Sequence, residues 1–188
     1  LALSSCYKLD TVPYNQVSGN TFWQTEDQAL AGVLGIYNDL KKEGTFGIQF
    51  AYDDLTDVGI GYDVGFGDII AGTFTDRTGT VTSRWKSGYD LIQRANHAIR
   101  NIQNMEIDAE KKNIMISEAK FLRGLMYFQL SNLFGGLPIY DESVDLNKDF
   151  ADLKNPKSSL ADVQKFIIDD LTFAIENLPV KYDDKYKG

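Results

Sequence analysis

A segment rich in glycine, aspartate and aromatic residues carries the side chains best suited to contact a polar ligand. It runs from Thr45 to Thr82, and nine of the chain's 16 glycines lie between Gly44 and Gly88. An aromatic ring offers apolar area on which the C–H face of a sugar can stack, and aspartates accept hydrogen bonds from hydroxyl groups. The candidate ligand-binding residues are Tyr62, Asp63, Phe66, Asp68, Phe74 and Asp76. The alternative is that these rings pack the segment back onto the rest of the domain.

Metal and nucleotide chemistry find little support in the sequence. The chain has one cysteine, Cys6, and one histidine, His97, so a structural zinc site is excluded and a histidine-based triad would have to use His97. The glycines lack the G-x-G-x-x-G spacing of a nucleotide loop. The aspartates do not match the spacing of a calcium loop, which favours a solvated acidic segment over a calcium site. We therefore predict no metal and no cofactor.

The charge of the chain argues against nucleic acid and anionic membrane surfaces as partners. The chain has 188 residues, with 27 acidic and 19 basic side chains, and its net charge is −8. Clustered lysine and arginine are needed to bind nucleic acid or an anionic membrane surface, so neither is an expected partner. Hydrophobic residues make up 43% of the chain, as in an ordinary globular domain. No apolar run approaches the roughly 20 residues that a membrane-spanning helix needs.

Four helices are predicted to position the glycine-rich segment. The first begins at a capping box formed by Thr25 and Gln28 and ends at Gly44. The others run from about Ser83 to Met105, from about Asp108 to Phe134, and from Ser159 to the residue before Pro179. Each has apolar residues at helical spacing. The predicted fold class is therefore all-α, with a long insert between the first two helices.

Two polar residues are predicted to lie inside the helical domain. Asn96 falls within the apolar stripe of the second helix and should hydrogen-bond across helices. Arg123 lies in an apolar part of the third helix, and a buried arginine needs a carboxylate partner. Asp169 and Asp170 of the fourth helix are the candidates. The charged tail 181–188 is expected to be loose.

The N-terminal residues resemble a processing signal. Residues 3–6, Leu-Ser-Ser-Cys, match a bacterial lipobox, in which Cys6 becomes the lipidated first residue of the mature protein. Residues 1–5 would then be a signal-peptide remnant and residues 6–24 an extended strap. The alternative is an ordinary cysteine.

Four ordered motifs resemble the SusD/RagB family. They are Phe22-Trp23 with Glu26-Asp27-Gln28-Ala29 and Gly35-Ile36-Tyr37; Trp85 to Tyr89 with Ile92 and Ala95-Asn96; Glu118 to Gly124 with Tyr127-Phe128, Leu130 and Phe134 to Pro138; and Ser159, Val163, Ile167 to Leu171 and Leu178-Pro179. The resemblance implies tetratricopeptide-like helix pairs. It also implies that residues 25–188 are the N-terminal helical domain of a longer chain. Trp85, Tyr89 and Arg123 are expected to be core or interhelix residues.

The resemblance further implies a role. Members of the family are surface lipoproteins of the Bacteroidetes outer membrane that bind oligosaccharides and work with a SusC-like TonB-dependent transporter. Such a protein meets the membrane only through its lipid anchor and is not an enzyme. The alternatives are a binder of peptides or other nutrients, a glycoside hydrolase with two carboxylates, and a scaffold that docks the transporter without a small ligand. No acidic pair sits in a context that is expected to shift a pKa.

Overall fold

The computed structural model describes residues 22–47, 53, 55–57, 59, 66–144 and 155–182. These residues form the helices α1 (Glu26–Asp39), α2 (Gly67–Ile70), α3 (Gly79–Gln103), α4 (Ala109–Phe134) and α5 (Leu160–Asn177), with a π-helical turn at Glu43–Gly47. The described part of the chain contains no strand, and the all-α prediction is confirmed. None of its helices is both long and apolar enough to cross a membrane.

The long helix α4 lies at the centre of the fold. It packs against α3 on one side and α5 on another, and α1 contacts both α3 and α4. The fully buried side chains of the core include Ile36, Leu91, Ile99, Leu122 and Leu130. Burying an aliphatic side chain of this size contributes about 1.5–3 kcal/mol. The core therefore fixes α3, α4 and α5 as a three-helix platform.

The first helix begins where the sequence predicts and ends earlier. The Gln28 amide N–H donates to Thr25 Oγ1 over 3.3 Å, and the Thr25 N–H donates to Gln28 Oε1 over 3.0 Å, which confirms the capping box. The helix ends at Asp39 rather than Gly44, and the π-helical turn follows. Thr45 stabilises this turn by donating its hydroxyl to the Asp39 carbonyl over 2.6 Å.

The apolar stripe that the sequence predicts for α1 comprises Leu30, Val33, Leu34, Tyr37 and Leu40, and the buried face differs from it in part. Leu34 and Tyr37 are 55% and 37% exposed, whereas Ala29, Val33 and Ile36 are fully buried. These three residues lie at i, i+4 and i+7 on one face of the helix, and that face packs against α3 and α4. Leu34 and Tyr37 lie at the edge of the core.

The later helix limits agree better with the prediction. The Asp108 carboxylate caps α4 by accepting from the Lys111 N–H over 3.0 Å, and Ser159 caps α5 by accepting from the Asp162 N–H over 3.1 Å. Helix α3 begins at Gly79, four residues before the predicted start. The insert is correspondingly shorter.

Two adjacent glycines end α4. Gly135 has a φ of +73°, a backbone conformation that residues with a Cβ rarely adopt. Gly136 lies against the backbone of Ser158, just before the N-cap of α5. The turn therefore places the chain that follows α4 directly beside the start of α5.

Candidate functional site

A buried ion pair joins α4 to α5. Arg123 is 1% exposed, and its Nε and Nη2 atoms donate to the two carboxylate oxygens of Asp170 over 2.7 Å each. Two parallel hydrogen bonds fix both the distance and the orientation of the helices. Asp169, the other predicted candidate, pairs with Lys165 at the surface instead. The expectation of a buried carboxylate partner is confirmed for Asp170.

The same arginine reaches two further segments. Its Nη1 donates to Asn96 Oδ1 of α3 and to Glu142 Oε2 in the segment after α4, over 2.6 Å in each case. The Phe166 ring lies 4.8 Å from the guanidinium. Asn96 thus hydrogen-bonds across helices, as predicted. Arg123 and these contacting residues, including Asp170, form what we call the arginine network.

The segment 137–142 is held by side chains of α3 and α4. Three side chains of α3 donate to its carbonyl groups: the Tyr89 hydroxyl to Pro138 over 2.8 Å, the Asn96 amide to Tyr140 over 2.9 Å, and Arg100 Nε to Glu142 over 2.7 Å. From α4, the Tyr127 hydroxyl accepts a 2.8 Å bond from the Tyr140 N–H. Burial raises the pKa of the Tyr89 and Tyr127 phenols well above the ordinary value. Both hydroxyls therefore keep their protons at neutral pH.

This arrangement builds a surface groove lined with aromatic side chains. The aromatic groove, as we call it, has a volume of about 260 Å³ and is lined by Trp85, Tyr89, Gln93, Pro138 and Tyr140. The Trp85 ring is packed edge-on against Phe134, with ring centroids 5.2 Å apart. It remains 38% exposed. The groove thus combines fixed rings with one side-chain amide, which suits a ligand with a C–H face and hydroxyl groups.

Trp85 and Tyr89 were expected to be structural. Tyr89 is half-buried and bonded to the protein, as expected, but Trp85 retains enough surface to contact a ligand. The sequence signal available for this groove was the i, i+4 aromatic pair of α3 together with Pro138 and Tyr140 after the glycine turn. The sequence does not show that these two groups of residues meet, because their contact depends on where the segment 137–142 lies relative to α3.

The predicted ligand-binding residues of the insert lie in several environments. Phe66 is 2% exposed, and the Arg84 guanidinium lies 5.6 Å from its ring centroid. Asp68 is exposed at the start of α2, and its carbonyl accepts from the N–H groups of Thr73 and Phe74. The loop after α2 therefore folds back, and the Phe74 backbone lies beside Asp68.

Two of these side chains are open to solvent in the same loop. Phe74 is 52% exposed, and Asp76 is exposed two residues later. Tyr62 and Asp63 lie outside the described residues, as does Cys6. The insert is attached to α3 through Arg84, the residue next to Trp85, because Arg84 Nη1 also donates to the Thr45 carbonyl over 3.0 Å.

The sequence indicates no acidic pair placed to shift a pKa, but two glutamates, Glu118 and Glu142, have shifted pKa values. Burial raises the pKa of Glu118. Burial also acts to raise the pKa of Glu142, but the charges of Arg123 and Lys120 and the hydrogen bond from Arg123 outweigh it, so that the pKa falls to about 2. Glu142 is thus held as an anion by the arginine network. It serves structure rather than proton transfer.

Glu142 is expected to make the stability of the fold depend on pH. Because its pKa is lower in the folded chain, its contribution is complete above the ordinary pKa of 4.5 and is lost as the pH falls to about 2. The difference in free energy of unfolding between the wild type and Glu142→Gln should therefore shrink over that range. Urea unfolding of both proteins at several pH values measures this difference. A difference that does not change with pH would contradict a stabilising role for the ionised Glu142 carboxylate.

Comparison with known proteins identifies the family. Residues 9–188 match a SusD-like family described as "Starch-binding associating with outer membrane". SusD-like protein P2 of Formosa agariphila is 30% identical over 189 residues, which cover 95% of this chain and 36% of that protein. The chain therefore spans about a third of the length of this relative.

Solved structures show the same fold. A SusD-like protein from Bacteroides fragilis superposes with a TM-score of 0.78 at 21% identity, over 95% of this chain and 34% of that one. A laminarin-binding SusD-like protein gives a TM-score of 0.74 at 26% identity, over 88% of this chain and 37% of that one. These likenesses confirm the predicted scaffold of tetratricopeptide-like helix pairs. With a family match over nearly its whole length, the chain belongs to the SusD-like family.

Proposed function

We propose that this chain is part of a surface lipoprotein that binds oligosaccharides and delivers them to a SusC-like TonB-dependent transporter in the outer membrane. The family match over residues 9–188 carries the proposal, because the family is described as starch-binding and associated with the outer membrane. The laminarin-binding relative supports a glycan as the ligand. Cys6 would carry the lipid after removal of residues 1–5, with residues 6–24 as a strap. Residues 25–188 would form the N-terminal helical domain.

We place the sugar contacts of this chain on the aromatic groove and the insert. Trp85 in the groove and Phe74 in the insert offer exposed ring area, and Asp68 and Asp76 offer exposed carboxylates near Phe74. Tyr62 and Asp63 remain candidates of the insert, whereas Phe66 offers little ring area because it is 2% exposed. Gln93 supplies an amide that can both donate to and accept from a sugar hydroxyl.

Replacing Trp85 with alanine is expected to weaken oligosaccharide binding by about tenfold. Stacking on an aromatic ring contributes about 0.5–1.5 kcal/mol beyond the area it buries, and 1.4 kcal/mol corresponds to a factor of ten. Isothermal titration with laminarin and starch oligosaccharides measures the effect. Phe128→Ala is the matched control, because Phe128 is an exposed aromatic residue that lies on α4 and does not line the groove.

The same titration separates the alternative functions. Binding without released product supports a capture protein, whereas shortened oligosaccharides would indicate a hydrolase. Binding of peptides but not glycans would favour the peptide-binding alternative. An equal loss in Trp85→Ala and Phe128→Ala would contradict the assignment of the groove. If the longer protein failed to respond to any oligosaccharide or peptide, a docking scaffold would replace the proposal.

A further inference from the structure

A second groove lies between the start of α1, the first half of α4 and the chain after α5. Its volume is about 330 Å³. Leu30, Ile114, Met115 and Pro179 supply apolar surface, and Tyr182 supplies a hydroxyl. The other lining residues are charged: Glu26, Asp27, Glu118, Lys111 and Lys181. A groove of this size that combines an apolar wall with convergent polar groups is suited to a small molecule. We call it the Glu118 groove.

The carboxylate of Glu118 differs from the other acidic groups in or near the core. Asp39 pairs with Arg94 and Lys42, while Asp170 pairs with Arg123 and Lys120. Glu118 has no ion pair within the described ranges. Its Oε1 accepts a 2.8 Å hydrogen bond from the neutral Tyr182 hydroxyl. A half-buried carboxylate without a cation is an unusual feature in this fold.

The groove around Glu118 carries more negative than positive charge, because three carboxylates and two lysines line it. Burial, together with the nearby Glu118 carboxylate, raises the pKa of Tyr37 to about 12. The same two causes raise the pKa of Tyr182. Two tyrosines therefore lie within the electrostatic reach of Glu118, and aromatic faces attract cations. Of the two lysines that line the groove, Lys111 pairs with Glu26 over 2.6 Å. Lys181 forms no ion pair with Glu118 in the described part of the chain.

We infer that the Glu118 groove binds a ligand with a protonated primary amine on a compact apolar body. The ammonium group would donate to the Glu118 carboxylate, while the body would lie on Leu30, Ile114 and Met115. A charge-assisted hydrogen bond in a partly water-excluded groove is stronger than a neutral one. This inference is independent of the oligosaccharide proposal, because the aromatic groove and the insert share no lining residue with the Glu118 groove.

The test uses cyclohexylamine and cyclohexanol as probes. They share an apolar ring, but only the amine is charged at neutral pH. NMR titration of the ¹⁵N-labelled chain should show shifts of the amides of residues 111–118 and Tyr182 with cyclohexylamine, and at least tenfold weaker binding of cyclohexanol. Loss of a hydrogen bond to a charged group has an effect of this order.

Two isosteric variants locate the charge. Glu118→Gln should weaken amine binding by about tenfold, whereas Glu110→Gln, an exposed glutamate in the first turn of the same helix, should leave it unchanged. Equal binding of both probes, unchanged binding in Glu118→Gln, or no response to the amine would each overturn the inference. The comparison of the two probes in the wild type needs no variant, so it stands even if Glu118→Gln folds poorly.

Discussion

Replacing Arg123 with methionine is expected to lower the free energy of unfolding by about 3–5 kcal/mol, because it leaves the buried Asp170 carboxylate without its bidentate partner. A domain is stable by only about 5–15 kcal/mol in total, so the variant should be close to unfolding at room temperature. Urea denaturation followed by circular dichroism measures the change. The expected effect is large because Arg123 also bonds to Asn96 and Glu142.

Two comparisons isolate the buried pair from a general effect of lost charge. Asp169→Ala removes the carboxylate next to Asp170 in sequence, but its partner Lys165 is exposed, so the loss should stay below about 1 kcal/mol. The double variant Arg123→Met with Asp170→Leu should be more stable than Arg123→Met alone, because it leaves no unpaired buried charge. A double variant that is less stable by the sum of both single losses would contradict this account.

Replacing Gly136 with alanine is expected to lower the free energy of unfolding by about 1–3 kcal/mol, the usual range for forcing extra volume into a packed site. An added Cβ would lie closer than 3.0 Å to the backbone oxygen of Ser158, and a backbone atom cannot rotate away as a side chain can. The start of α5 would have to move. The same urea denaturation measures this loss.

Gly79→Ala is the matched control for Gly136→Ala. Gly79 is the first residue of α3, and nothing lies within 4 Å of the position of its added Cβ. Alanine there should leave the stability unchanged or raise it by up to about 1 kcal/mol, since it restricts the unfolded chain. Similar losses in the two variants would show that close packing against Ser158 is not the cause.

The features predicted correctly from sequence are those fixed by local or pairwise chemistry. The starts of α4 and α5 follow from Asp108 and Ser159, whose side chains cap the free N–H groups of the next turn. The pairing of Arg123 follows from the impossibility of burying its charge alone. Such rules need no knowledge of the rest of the fold.

The features predicted poorly depend on where neighbouring helices end. Trp85 has the spacing of a core residue, yet its ring packs against Phe134, the last residue of α4. Beyond that point α4 no longer covers α3, so Trp85 stays partly open. Leu34 is exposed for a related reason, because α1 turns the face with Val33 and Ile36 towards α3 and α4. Helix length and rotation are tertiary properties, which periodicity alone does not fix.

The Glu118 groove was also beyond sequence reasoning. Glu118 lies on α4 and Tyr182 is 64 residues later, in a tail that was expected to be loose. Their contact depends on the path of the chain after α5. For the insert, the sequence identified exposed Phe74 and Asp76 as candidates but gave no basis to separate them from Phe66, which the Arg84 side chain covers.

The arginine network also affects the lifetime of the folded state. Asp170, Asn96 and Glu142 are 47, 27 and 19 residues from Arg123 along the chain, so all the bonds coexist only after three separate segments have docked. Interactions that form after the transition state slow unfolding and hardly affect the rate of folding. We therefore expect loss of the network to speed unfolding more than it slows folding, and so to shorten the lifetime of the folded chain in the presence of a protease.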